Sequence, residues 1–217
     1  MKTALLAGAT GLVGGELLKI LLERPEYSRV VAIVRRPLAL SHPKLEQRVV
    51  DFDRLAEHAD AFAVDDVYCC LGTTIKRAGS QAAQCRVDFD YPLAMAELAR
   101  AQGARRYLLV SSMGADAKSS FFYMRLKGEV EAAVVGAGLP AVHIFRPSLL
   151  LGQRQEARFG ERIAVALSPL LSILMPARSR PIQARDVAQA MVNVANGPEA
   201  AGAHIYMNDE VQRLARR

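Results

Sequence analysis

The 217-residue chain has no Trp, 6% aromatic residues and three Cys. So few aromatics argue against the base-stacking platforms of single-stranded nucleic-acid binders. Cys69, Cys70 and Cys85 are odd in number and form no C-x-x-C. A disulfide framework or a zinc site is therefore not expected, and a reducing compartment fits better. His42, His58, His143 and His204 stand at no metal-ligand spacing with Cys or carboxylates, so no metal is expected either. No apolar run reaches the roughly 18 residues of a membrane span. The N-terminal apolar run is broken by Gly8, Gly11, Gly14 and Gly15 and followed by Glu16, which is unlike a signal peptide. Cytoplasm is the expected location, with neither membrane nor nucleic acid as a partner.

The net charge of +6 and the pI near 9.5 come from arginines scattered along the chain, which is the pattern of a basic soluble surface. An anionic ligand such as a phosphorylated cofactor fits the same balance. Half of the residues are apolar, enough for one well-buried domain.

Residues 3–7 predict a buried strand, residues 12–24 a helix stopped by Pro25, and residues 30–34 a second β-branched strand. This is a βαβ unit. Further strands are predicted at 48–52, 66–71, 106–111, 141–145 and 204–207. Helices are predicted over 81–101, where Pro92 demands a kink or break, over 122–135 and from 185 to about 196. Residues 75–80 read as a loop, and 160–175 as an apolar stretch. Asp88 and Asp90 read as helix-surface carboxylates. Alternating strands and helices imply an α/β fold with a doubly wound parallel sheet. Residues 1–217 form one dinucleotide-binding domain, to which 148–217 add a small C-terminal lobe on the substrate side.

Three features carry chemistry. The first is Gly8-x-x-Gly11-x-x-Gly14, between the first strand and first helix, where a dinucleotide pyrophosphate would approach a helix N-terminus. The second is Arg35-Arg36 at the end of the second strand. An NAD site usually places Asp or Glu there, about 20 residues past the glycines. Two guanidinium groups instead suit a 2′-phosphate, so NADP(H) is expected ahead of NAD(H). The third is Tyr123-x-x-x-Lys127, which puts a phenol and an ammonium on one helix face. The ammonium favours the phenolate, so the phenol can exchange a proton with a carbonyl or alcohol oxygen. Ser111 and Ser112, at the preceding strand end, each could polarise that oxygen.

The blocks at 8–14, 71–74 and 110–116, the Tyr123-x-x-x-Lys127-Gly128-Glu129-Val130-Glu131 run and the block at 145–152 together resemble the short-chain dehydrogenase/reductase superfamily in its atypical branch. The last three are similar to the oxidoreductase-like Tat-interacting protein family and its bacterial relatives. The resemblance implies that Thr10, Gly11, Leu12 and Val13 contact the pyrophosphate and that Arg35 and Arg36 hold the 2′-phosphate. It places Leu71 and Gly72 on the adenosine and ribose side, and Tyr123 and Lys127 beside the nicotinamide ribose. Leu150 and Arg158 fall in the segment that closes over the nicotinamide half. One Ser assists the Tyr in this superfamily, and Ser112 is preferred over Ser111. Asp51 is either an adenine contact or a strand-end cap.

The sequence thus points to an NADP(H)-dependent oxidoreductase acting on a small carbonyl or alcohol substrate. An NADP(H)-binding regulatory or protein-interaction module, with a protein partner and little turnover, is the alternative. A nucleotide-sugar epimerase or dehydratase ranks third, because the stretch after the sixth strand is short. Oligomeric state stays open.

Overall fold

Continuous apolar runs such as residues 4–7 and 30–34 avoid water only if both faces of their strands are covered. The structure, a computed structural model, describes residues 1–152, 176–198 and 200–217. The predicted apolar stretch at 160–175 and Arg158 lie outside the described residues. The strands are β1 (Lys2–Ala7), β2 (Tyr27–Val34), β3 (Leu45–Val49), β4 (Asp66–Cys69), β5 (Arg106–Val110), β6 (Ala141–Arg146), β7 (Leu150–Leu151), β8 (Ile182–Gln183) and β9 (Gly202–Met207). The helices are α1 (Leu12–Glu23), α2 (Ile75–Ala78), α3 (Gln81–Cys85), α4 (Tyr91–Ala101), α5 (Phe122–Gly136), α6 (Ala184–Asn196) and α7 (Asn208–Leu214).

Seven strands make one sheet in the order β3-β2-β1-β4-β5-β6-β9, with every neighbouring pair parallel. Ala4 and Leu6 of β1 join a core layer with Leu17 and Leu21 of α1 and Val187 and Met191 of α6. Leu5 and Ala7 point the other way, into a layer with Met95 of α4 and Val130 and Val134 of α5. This is the doubly wound sheet expected from the sequence. The chain winds outward from β1 in both directions, so the crevice between the carboxyl ends of β1 and β4 is the topological switch point. Of the residues read as a C-terminal lobe, α6 packs beside α1 and β9 extends the main sheet, while β7 and β8 pair apart from it. Among the described residues no helix is long and apolar enough to cross a membrane.

Several local expectations are corrected. The third strand lies at Leu45–Val49 rather than 48–52, and Asp51 instead caps a 3-10 helix (Phe52–Phe62) by accepting the Asp53 N–H at 3.0 Å. The predicted loop at 75–80 contains α2, closed by Gly79 at φ +92°. The predicted long helix at 81–101 is broken into α3, a π-helical turn (Arg86–Asp90) and α4. Pro92 has no N–H to return to the carbonyl four residues back, and the helical ladder changes pitch at this point. The wider turn rotates the side chains out of the 3.6-residue phase. As a result Asp88, read as a surface carboxylate, is buried, while Asp90 stays exposed.

At the amino end of the sheet, a buried polar cluster is paired around Asp66. Asp66 accepts from Tyr27 Oη (2.7 Å) and Arg106 Nη1 (3.1 Å), and the Tyr27 and Tyr68 hydroxyls lie 2.7 Å apart. In β6, His143 is buried with Nδ1 3.0 Å from Tyr206 Oη and its ring stacked on His204 at 5.3 Å. Burial first, and then the nearby His204 and Arg106, push the His143 imidazole down to about 4. The folded chain thus refuses a proton that the unfolded chain accepts below the usual histidine value. Stability should therefore fall as pH drops from about 6.5 to about 4, and be fully present above that window. Urea melts across the window should show the wild-type slope exceeding that of His143→Gln by on the order of 3 kcal/mol in total. Equal slopes for the two proteins would contradict this assignment.

Candidate functional site

The carboxyl end of β1 turns sharply at Gly8, whose φ is +89°. A Cβ there would lie 2.5 Å from the Cys70 carbonyl oxygen on the neighbouring strand end. The Gly11 N–H donates to the Gly8 carbonyl at 2.8 Å, closing the turn. α1 then packs so tightly on the turn that a Cβ at Gly14 would sit 2.1 Å from the Gly8 oxygen. The N-cap of α1 is Gly11, with no side-chain cap. Its first-turn amides are thus left for an external acceptor, and the helix dipole favours an anion there. The Val13 side chain goes into the core and Leu12 lies against Gly152, so only backbone from these residues faces the turn.

Beside this turn is a cleft of about 700 Å³. Gly8, Thr10 and Gly11 form its floor, with Leu71, Gly72 and Thr73 after β4. Arg35 and Arg36 line its β2 side and are exposed. Arg77 of α2 and Arg86 of the π-helical turn add two guanidinium groups that the sequence reading did not single out. Phe52 and Tyr91, with ring centroids 5.4 Å apart, add an apolar wall. Burial and the hydrogen bond from Tyr91 Oη to Asp53 push that phenol up to about 12, so it stays protonated.

Behind this cleft stands the second constellation. α5 approaches the segment after β5 through Gly128, where a Cβ would lie 2.1 Å from the Ala117 nitrogen. That approach positions Tyr123 and Lys127. Lys127 Nζ lies 5.9 Å from the Tyr123 ring centroid, and Tyr123 is 39% exposed while Lys127 is buried. The Lys127 ammonium is 2.7 Å from Asp88 Oδ1. Burial pulls the lysine down, but Asp88 and Tyr123 outweigh it, and the net direction is up. Lys127 thus remains a cation without contact with bulk water. The two constellations meet at Gly72, where a Cβ would lie 3.6 Å from Asp88 Oδ1 and 4.0 Å from Lys127 Nζ. The ion pair therefore sits directly behind the cleft backbone. Tyr123, Lys127, Gly14 and Leu150 do not themselves line the cleft, and Leu150 is half-buried in β7.

The two serines are not equivalent. Ser111 is buried and donates to Glu131, whose carboxylate also accepts from Arg146 Nε at 3.0 Å and Nη2 at 2.5 Å. Ser112 is half-buried, and its hydroxyl has a 3.3 Å contact to the Met113 carbonyl. Glu131 and Arg146 received no role from the sequence, although both stand in the blocks that carry the resemblance. Asp88 was misplaced on the surface; the proline four residues later was the available signal. Among the described residues no group of three His, Cys, Asp or Glu side chains is arranged to hold a metal.

A family model described as NAD(P)H-binding matches residues 8–198. The protein HTATIP2 of Rattus norvegicus is 46% identical over 75% of this chain and 69% of its own length. The mitochondrial protein fmp52 of Emericella nidulans is 34% identical over 98% of each chain. Among solved structures, the Bordetella bronchiseptica enzyme WbmH in complex with NAD+ superposes with a TM-score of 0.72 at 16% identity, over 100% of this chain and 79% of that one. That likeness is one of fold. The mitochondrial designation recurs among further fungal relatives at 30–34% identity, and it overturns the expectation of a cytoplasmic location.

The glycines of the turn make separable predictions. Gly14→Ala must push α1 off the Gly8 carbonyl and should cost about 2 kcal/mol or more in urea unfolding. A Cβ at neighbouring Gly15 would meet the Ala9 oxygen at an ordinary 3.4 Å. Gly15→Ala should therefore be neutral or stabilising by up to about 1 kcal/mol, as for glycine in a helix interior. Similar losses in both variants would disprove the close approach.

Proposed function

The chain belongs to the NAD(P)H-binding family, as an atypical short-chain dehydrogenase/reductase related to HTATIP2, and from that premise we propose that it is an NADP(H)-dependent oxidoreductase of small carbonyl or alcohol substrates. The observation that carries the reading is the buried Lys127–Asp88 ion pair directly behind Gly72, with the exposed Tyr123 beside it. It aligns a proton-transfer pair with a dinucleotide cleft. The cleft fits that cofactor on its own terms: a glycine cradle that a Cβ would fill, an uncapped helix N-terminus, and arginines at the rim.

When bound, the nicotinamide supplies or accepts the hydride. The residues of the chain do the rest. Gly8, Thr10, Gly11 and the first amides of α1 hold the pyrophosphate. Arg35 and Arg36 donate to the 2′-phosphate, a charge-assisted contact that a ribose hydroxyl cannot match. The Tyr123 hydroxyl moves a proton to or from the substrate oxygen, and the Lys127 ammonium stabilises the phenolate left behind. Ser112 donates to the same oxygen, because the Ser111 hydroxyl is engaged by Glu131.

Two measurements test this. Tyr123→Phe should lower NADPH oxidation across a panel of small aldehydes and ketones by about 100-fold or more, with NADPH affinity nearly unchanged. Equal turnover by both proteins would remove Tyr123 from the chemistry. NADPH binding with no oxidation by the wild type would return the protein to the regulatory reading. Arg35→Ala/Arg36→Ala should weaken NADPH binding by about tenfold or more while sparing NADH, as seen by cofactor fluorescence titration. Parallel losses for both cofactors would refute the 2′-phosphate contact.

A further inference from the structure

Asp88 sits where three elements meet. Its Oδ1 is 2.7 Å from Lys127 Nζ on α5, and its Oδ2 accepts the Thr73 N–H at 2.9 Å from the segment after β4. The carboxylate is buried, and it is carried by the π-helical turn whose Arg86 and Val87 line the cleft. Gln84, just before that turn, donates to the Thr73 carbonyl at 3.3 Å, so Thr73 is held through both its backbone groups. The groups that face Lys127 are Asp88 from the turn, Tyr123 from its own helix and Cys69 from β4. Burial pushes the Cys69 thiol up, and Asp88 is the carboxylate in ion-pair contact with the ammonium.

We infer that Asp88 is a positioning residue for the cofactor-binding lysine: its two oxygens fasten the Lys127 ammonium to the Leu71–Gly72–Thr73 wall and keep it charged behind the cleft. The inference rests on the reading of Lys127 as a ribose and phenolate partner, and adds the residue that makes this lysine usable. A buried ammonium without a counter-charge loses its proton at a lower pH than a solvated one. Removing the carboxylate while keeping its shape therefore does not simply delete a contact. It makes the lysine, and whatever the lysine binds, depend on pH.

The test compares NADPH binding to wild type, Asp88→Asn and Lys127→Met by cofactor fluorescence between about pH 6.5 and about pH 9. The ratio of Asp88→Asn to wild-type Kd should rise by about tenfold across that range, until the variant binds as weakly as Lys127→Met. Lys127→Met should keep a constant ratio to wild type. A constant ratio for Asp88→Asn, whatever its size, means a merely structural carboxylate and overturns the inference. Failure of the wild type to bind NADPH overturns the functional reading, and this inference with it. If Asp88→Asn does not fold, the double variant Asp88→Asn/Lys127→Met decides. With no lone buried charge it should recover stability over the single variant, and a double variant no more stable than the single one overturns the pairing.

Discussion

A lysine ammonium removed from water needs a counter-charge, and the architecture around the cleft is arranged to supply one to Lys127. Asp88 can do so only because the chain between α3 and α4 widens into a π-helical turn, which brings the carboxylate inward. The same turn accommodates Pro92, which cannot donate to a helical ladder. Gly72 brings the cleft backbone within van der Waals reach of the pair, and Gly128 must lack a side chain for α5 to lie where Lys127 reaches Asp88. A side chain at Gly128 would push α5 away and separate the lysine from its partner. Because desolvating both ions offsets much of their attraction, the pair is a weak source of stability, and its place behind the cleft suits a functional device.

The two ends of the sheet divide stability from binding. At the amino end, Asp66 is enclosed by Tyr27, Arg106 and Lys2, and burial raises the Tyr27 and Tyr68 phenols so that both remain protonated donors. The Asp66 carboxylate and the two phenols there all have protein partners, which makes that cluster a closed structural lock. At the carboxyl end the α1 amides, Arg35 and Arg36 face a cleft instead. Strand direction alone produces this asymmetry, since parallel strands send all their following loops to one edge.

Features with a local cause were legible in the sequence. The glycine turn, the buried runs and the fold class follow from period and backbone freedom, and Gly8 and Gly14 stand where spacing put them. Arg35 and Arg36 were legible because strand ends in this fold fall at predictable places, and both line the cleft. What stayed hidden depended on a change of helical phase or on distant pairing. Asp88 looked like a surface residue because a 3.6-residue period was carried through a stretch that does not keep it. The pairing of Ser111 with Glu131 joins residues twenty positions apart, and no spacing rule separates Ser111 from Ser112. Arg77 and Arg86 reach the cleft from a short helix and a turn whose course the sequence did not reveal.

The net charge of +6 first read as a diffuse basic surface, but the arginines are not used alike. Arg29 and Arg48 engage Glu46, Arg48 also reaches Asp60, and Arg54 engages Glu57. Those exposed pairs neutralise one another and contribute little to stability. At the cleft, Arg86 lies 3.9 Å from Asp53, whereas Arg35 and Arg36 form no ion pair among the described residues. Unpaired guanidinium groups concentrated beside a helix N-terminus create a local positive potential in a concave site, where field lines are focused and screening is weakened. Part of the excess positive charge thus lines this cleft. A dianionic phosphate at the arginine end and a neutral ribose at the lysine end would make complementary demands. The first needs charges free to move onto it, and the second needs a charge held still by Asp88.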